Sequence, residues 1–207
     1  KKKRKEKRKT HFSITPAPPR FYVVVVERFY FRVKESVQKK TMAQQLRYKK
    51  LALRDQILLR PCMYIGATDT SLASGAWLIE DGAMRQRDVP RNEGWHKSVG
   101  EIADNAFDNR VRGTNKVDVS IGENGSITVS NNGETIAVMK HETETDKYNP
   151  SVVFGELCCS GQYDSTDANA NVVGQNGFGA KLTNIHSTWF EVVCHDPVNG
   201  SFKQTFT

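Results

Sequence analysis

The sequence predicts an α+β fold in which a mixed, mostly antiparallel sheet carries helices on one face. Three features lead to it. They are an amphipathic helix near the middle of the chain, two segments whose hydrophobic residues alternate about a central turn, and a glycine-rich loop before another helix. The chain has 207 residues and is 38% hydrophobic, which suffices for one domain and an extension.

The amphipathic helix is predicted from Lys97 to Arg110. Its apolar residues recur at helical spacing: Val99, Ile102, Ala103, Ala106 and Phe107. The residues that fall on the opposite face are Glu101, Asn105 and Asp108. We therefore expect one face to pack on the core and the other to present three polar groups together.

The remaining elements are predicted from alternation, turn residues and a proline. They are a hairpin with strands 117–121 and 127–129, a short helix over 151–157, a helix over 180–187, and a second hairpin with strands 189–194 and 201–206. Asn124-Gly125 suits the turn of the first hairpin, and Pro150 suits the first turn of the short helix.

Positive charge is concentrated at the N-terminal end. Residues 1–41 contain 14 Lys and Arg against 3 Glu, a net charge of +11, whereas residues 42–207 contain 16 against 20 acidic residues, a net charge of −4. A basic face for DNA is therefore not expected after residue 41. The predicted organisation is a basic, disordered extension over 1–41 and one domain over 42–207.

Residues 1–9, KKKRKEKRK, suit a nuclear address, a nucleic-acid-binding arm or a solvated tail. We expect a nuclear location, with an organelle or viral or host cytoplasm as alternatives. Phe21–Val33 alternates weakly and is compatible with a strand. The chain has no apolar run long enough to cross a bilayer, so we expect no membrane association.

Two helical residues one turn apart suggest chemistry on a bound ligand. A carboxylate at Glu101 can accept a proton from an attacking water, and the amide oxygen of Asn105 can ligate Mg²⁺. The alternative is an ordinary solvated helix face.

The loop Gly174–Lys181 suits a polyphosphate. Its three glycines allow close backbone approach, the following helix offers free N–H groups, and Lys181 adds a positive charge. It is not a P-loop, because Ala180 precedes the lysine and Leu182 follows it. The alternative is a purely structural glycine loop. Asn131 before a Gly turn could read an adenine edge or serve only the turn.

In order, E-x-x-x-N, N-N-G and a glycine-rich loop before a helix resemble the GHKL (Bergerat) ATPase superfamily. Leu58–Gly66 (LLRPCMYIG) further resembles a signature of type IIA DNA topoisomerases. Val153–Leu157, Tyr163-Asp164, Gln175–Ile185 and Lys203-Gln204-Thr205 are similar to the eukaryotic type. The resemblance runs from about Tyr48 to Thr207.

The resemblance implies a role for each matching residue. Glu101 matches the general base, Asn105 the Mg²⁺ ligand and Asn131 the adenine-side residue. The matches to a triplet near the ribose and phosphates are Ser160, Gly161 and Gln162. The matches to the phosphate-binding lid are Gly174, Gln175, Asn176, Gly177, Phe178, Gly179, Ala180 and Lys181. The implied cofactors are ATP and Mg²⁺.

Tyr48 matches a tyrosine on an N-terminal arm that reaches ATP in the partner subunit, which implies a homodimer. Three departures stand out. Thr135 replaces a glycine, Ala137 a proline and Gly161 a serine, so the turn beside the base and one hydroxyl contact are altered. The resemblance also implies that the last sheet strands and a catalytic lysine lie beyond Thr207, so we expect the chain alone to hydrolyse ATP weakly or not at all.

The expected function is the ATP-driven gate of a type II topoisomerase, which passes one DNA duplex through a transient double-strand break and acts on double-stranded DNA through the intact enzyme. The alternatives are another GHKL ATPase of the mismatch-repair or chaperone type, and a degenerate nucleotide-binding module without turnover.

Overall fold

The computed structural model describes residues 21–29, 49–160, 173–174 and 176–207. The described strands are β1 (Phe21–Phe29), β2 (Ser71–Glu80), β3 (Ala83–Arg91), β4 (Val117–Ile121), β5 (Ile127–Asn131), β6 (Ser187–Asp196) and β7 (Gly200–Phe206). The described helices are α1 (Leu53–Leu59), α2 (Glu93–Asp108), α3 (Asn149–Gly155) and α4 (Gly179–His186), with 3-10 turns at Pro61–Met63 and Asn109–Arg112.

Five strands form the main sheet in the order β4-β5-β1-β6-β7, and β2 and β3 form a separate two-stranded sheet. Every neighbouring pair in both sheets is antiparallel. The described strands thus agree with the predicted, mostly antiparallel sheet. The α+β class is confirmed.

Strand β1 occupies the centre of the main sheet, although its residues were predicted to belong to the N-terminal extension. It pairs with β5 from Tyr22 to Val26 and with β6 along its length. The predicted boundary at residue 41 is wrong for residues 21–29, because this valine-rich segment forms a strand that is paired along both of its edges. Residues 1–20 and 30–48 lie outside the described structure.

One face of the sheet carries the core. Its most buried strand residues include Val24 of β1, Val129 of β5 and Phe190 of β6, at 0%, 1% and 0% exposure. Buried residues from the helices complete the same cluster: Ile102 and Ala106 of α2, Phe154 of α3 and Ala180 of α4. The helices therefore cover this face, as the sequence predicted, and α2 and α4 lie against each other.

Helix α2 begins four residues before its predicted start, because Asn92 caps it by accepting the backbone N–H of Trp95 at 2.9 Å. Two residues differ from their predicted faces. Phe107 is 53% exposed, although its spacing placed it on the core, and Asp108 is buried at 1%. Both lie in the last turn of α2, where the next turn is 3-10, so 3.6-residue periodicity no longer describes the surface.

The predicted hairpins and later helices are present, and their ends lie within two residues of the predicted ends. The β2–β3 hairpin was not predicted. Most of its residues are exposed, including Leu72, Trp77 and Ile79, so neither strand shows a clear polar–apolar alternation. Within the described part of the chain, no helix is long and apolar enough to cross a membrane.

Candidate functional site

A cavity of about 500 Å³ lies between α2, the start of α4 and one end of β1. The predicted site residues that line it are Glu101, Asn105, Ser160, Gly174, Asn176, Gly177, Phe178, Gly179, Ala180 and Lys181. Residues from three separate parts of the sequence thus meet in one place. This arrangement argues against the two alternatives, an ordinary solvated helix face and a purely structural glycine loop, since neither requires the two segments to share a cavity.

Glu101 and the start of α4 are in direct contact. A Cβ atom at Gly179 would lie 2.7 Å from the carboxyl carbon of Glu101, so any side chain there would require this carboxylate to move. Glu101 is also paired with Lys97, one turn earlier on α2. The side chain of Glu101 is 18% exposed, so the carboxylate keeps access to the cavity and its water.

The glycine loop packs closely on the backbone at Cys159, in the segment that follows α3. Gly177 has φ +65°, and a Cβ there would lie 2.5 Å from the carbonyl oxygen of Cys159. The loop then enters α4 at Phe178, whose side chain does not cap the helix. The first-turn N–H groups of α4 therefore face the cavity at the positive end of the helix dipole, which suits an anion.

Lys181 is the cation that lies deepest at this helix start, at 5% exposure. Its Nζ donates to the carbonyl oxygen of Cys159 at 2.6 Å. Burial lowers the pKa of Lys181 to about 8, and the nearby thiols of Cys159 and Cys158 oppose that shift only in part. A polyanion in the cavity would favour the charged form of this amine.

Asp108 anchors the beginning of the glycine loop. The backbone N–H of Val173 donates to both carboxylate oxygens at 2.9 Å, and the N–H of Gly174 donates to Oδ2 at 2.7 Å. The carboxylate is therefore used to hold the loop beside α2.

Among the predicted site residues that the structure describes, Asn131 alone does not line the cavity. Its side-chain oxygen accepts from Asn109 Nδ2 at 3.0 Å and from Thr114 Oγ1 and the Gly133 N–H at 3.1 Å each. Its Nδ2 is buried and has no hydrogen-bond partner among the described residues. Its cross-strand neighbour Tyr22 does line the cavity. The predicted role of Asn131 at an adenine edge is thus not visible in this arrangement.

Four predicted binding residues, Tyr48, Gly161, Gln162 and Gln175, lie outside the described residues. The structure adds cavity residues that sequence reasoning missed, among them Tyr22, Asn109 and Arg112, and it also places Thr135 and Ala137 of the altered turn in the lining. Asn109 and Arg112 follow Asn105 by four and seven residues, so helical spacing could have found them. Tyr22 carries no such signal.

Sequence comparison relates the chain to type II topoisomerases. It is 38% identical over 185 residues to a probable DNA topoisomerase 2 of Dictyostelium discoideum, and 42% identical over 157 residues to DNA topoisomerase 2 of Trypanosoma cruzi. These matches cover 87% and 74% of this chain but 12% and 13% of the relatives, so the chain spans about an eighth of their length. No protein-family model matches the chain.

Structural comparison gives the same relation. The ATPase region of Saccharomyces cerevisiae topoisomerase II matches with a TM-score of 0.63 and 30% identity, over 77% of this chain and 47% of that one. The ATPase and transducer domains of DNA topoisomerase II from Balamuthia mandrillaris match with a TM-score of 0.65 and 27% identity, over 80% and 47%.

The domain is of the GHKL class, because helices cover its antiparallel sheet and a cavity lies between the E-x-x-x-N helix and the glycine loop. Within that class, the chain belongs to the type II DNA topoisomerase family and matches its ATPase region.

Proposed function

We propose that the cavity binds ATP together with Mg²⁺. The observation that carries the proposal is that Glu101, Asn105 and the segment Gly177–Lys181 line one cavity. Lys181 and Arg112 supply positive charge there, and the uncapped start of α4 supplies backbone donors. This combination suits the triphosphate of a nucleotide.

The residues present suit a Mg²⁺ ion that is held mainly by the phosphates of the bound nucleotide. Asn105 offers one amide oxygen at the cavity wall. No group of three or more His, Cys, Asp or Glu side chains in the described ranges forms a metal cage. Mg²⁺ commonly takes one or two protein oxygens and completes its shell with phosphates and waters, so a single amide fits this mode. The bound ion would neutralise phosphate charge.

Glu101 is placed to act as the general base in ATP hydrolysis. It lies against the backbone at Gly179 and is partly exposed, so a water beside the terminal phosphate would be within its reach. Its ion pair with Lys97 fixes the direction of the carboxylate.

For the intact protein we propose an ATP-driven gate. ATP binding would order the glycine loop and clamp two copies around a DNA duplex, hydrolysis would release the clamp, and the enzyme would pass one duplex through another. The curated relatives are named DNA topoisomerase 2, and this chain covers 11–13% of their length. We assign the DNA-breaking chemistry to regions of the intact protein other than this domain. Nuclear location also remains a proposal.

The test is Mg-ATP binding by the full 207-residue chain, measured by isothermal titration calorimetry. We expect wild-type binding, loss of binding in Lys181→Ala, and retained binding in Glu101→Gln with loss of whatever hydrolysis the chain shows. Lys203→Ala serves as the control, because Lys203 lies on β7 outside the cavity. Equal binding by Lys181→Ala and Lys203→Ala would refute the phosphate site, and equal hydrolysis by Glu101→Gln would refute the assigned base.

A further inference from the structure

Strand β1 contributes one residue, Tyr22, to the wall of the candidate nucleotide cavity. No match to a known motif points to this residue. It lies on the strand that the sequence placed outside the domain, and it is 6% exposed. Its role must therefore be read from its contacts.

The hydroxyl of Tyr22 donates to the backbone carbonyl oxygen of Asn105 at 2.9 Å. That carbonyl also accepts the N–H of Asn109 at the end of α2. The ring of Tyr22 packs against Phe154 of α3, with centroids 6.3 Å apart and planes at 58°. Tyr22 therefore connects the central strand to the last turn of α2 and, through its ring, to α3.

The turn that Tyr22 holds carries three groups of the site. Asn105 lines the cavity, Asp108 anchors the glycine loop, and Asn109 supports Asn131. A hydroxyl buried here without a partner would be unfavourable, so the bond to Asn105 is kept in the folded state. Burial raises the pKa of Tyr22 far above its ordinary value, and the neighbouring Asn131 amide opposes this only in part, so the hydroxyl stays a donor at all ordinary pH values.

We propose that Tyr22 is a positioning residue of the site, which fixes the Asn105 turn so that the amide of Asn105 meets the Mg²⁺ of a bound nucleotide. The inference rests on the proposed function. It adds that Mg²⁺-dependent affinity depends on a strand from the N-terminal segment. Tyr22 acts through Asn105 and takes no part in proton transfer.

The experiment uses the full chain and compares ATP affinity in Mg²⁺ with ATP affinity in EDTA. Tyr22→Phe keeps the ring and removes only the hydroxyl. We expect roughly threefold to tenfold weaker binding in Mg²⁺, which corresponds to about 0.7–1.4 kcal/mol for one hydrogen bond, and less than about twofold change in EDTA. A merely structural role would weaken both equally.

Two controls separate the hydroxyl from general destabilisation. Tyr64→Phe removes another part-buried tyrosine hydroxyl, which donates to Gln56 at 2.7 Å away from this cavity. Val24→Ala weakens the same strand at a buried position that does not line the cavity. Both should leave the ratio of affinities in Mg²⁺ and EDTA at the wild-type value, even where Val24→Ala lowers the melting temperature.

A double-mutant cycle provides the second measurement. In an Asn105→Ala background no amide remains to be positioned, so Tyr22→Phe should change Mg-ATP affinity by less than about twofold. Full additivity, or an unchanged affinity ratio in Tyr22→Phe alone, would overturn the inference while wild-type ATP binding leaves the proposed function intact. Failure of the wild-type chain to bind Mg-ATP would overturn both.

Discussion

Substitution of Asp108 by Asn tests whether the glycine loop must be held against α2 for nucleotide to bind. Asp108 is 1% exposed and accepts the N–H groups of Val173 and Gly174 at 2.7–2.9 Å. Asparagine has nearly the same shape but is uncharged and has one acceptor oxygen, so the N–H of Val173 can no longer be held by two oxygens and meets an NH2 group instead. A hydrogen bond to a charged group contributes about 1.5–3 kcal/mol, which corresponds to a roughly 10- to 150-fold loss of affinity if the ordered loop is required.

Mg-ATP affinity should be measured by calorimetry on the full chain, with hydrogen exchange at Val173 and Gly174 as an independent view of the loop. The matched control is Asp118→Asn on β4, whose carboxylate is 59% exposed and pairs with Lys116 at 2.8 Å. An exposed ion pair contributes about 0–1 kcal/mol, and this one lies away from the cavity, so affinity should stay within about twofold. The reasoning is wrong if folded Asp108→Asn binds Mg-ATP as tightly as Asp118→Asn does.

Three further perturbations follow from the same geometry. Because the pKa of Lys181 is lowered to about 8, Mg-ATP affinity should be level below that pH and weaken by up to about tenfold per unit above it, with proton uptake on binding. Calorimetry in buffers of different ionisation enthalpy checks this, and Lys181→Arg should abolish the uptake. Gly179→Ala should force the Glu101 carboxylate to move and lower the free energy of unfolding by about 1–3 kcal/mol. Gly100→Ala, with open space at its Cβ, should raise it by about 0.5–1 kcal/mol, and urea unfolding measures both. A chain beginning at Met42 should lack the cooperative urea transition of one beginning at Phe21, because it lacks β1; equal transitions would contradict the central position of β1.

Local patterns in the sequence were sufficient for the elements that carry their own signals. Helix α2 has an apolar stripe, and the β4–β5 turn contains Asn124-Gly125. The meeting of Glu101 with the glycine loop was also foreseen, because the family resemblance fixed their roles together. The structure adds a reason for the glycine at position 179, because a side chain there would collide with the carboxylate of Glu101 as it stands.

The features that were missed depend on tertiary structure. Phe21–Phe29 reads as a plausible strand, but nothing local says that it pairs with β5 and β6 across more than a hundred intervening residues. Asp108 appeared as one of three polar residues on a helix face, and only the fold shows that its carboxylate accepts from Val173 and Gly174. The predicted exposure of Asp108 was therefore wrong because its partners come from 65 and 66 residues later.

The last turn of α2 explains why these missed features matter together. Within five residues it presents Asn105 to the cavity, Asp108 to the glycine loop and Asn109 to Asn131, and it is held from the sheet side by Tyr22. The backbone there changes from α to 3-10, which gives weaker hydrogen-bond geometry than a continuing helix. Its position is therefore set by its neighbours more than by its own helical bonds. It follows that substitutions on β1 or in the loop can change nucleotide affinity without touching the nucleotide.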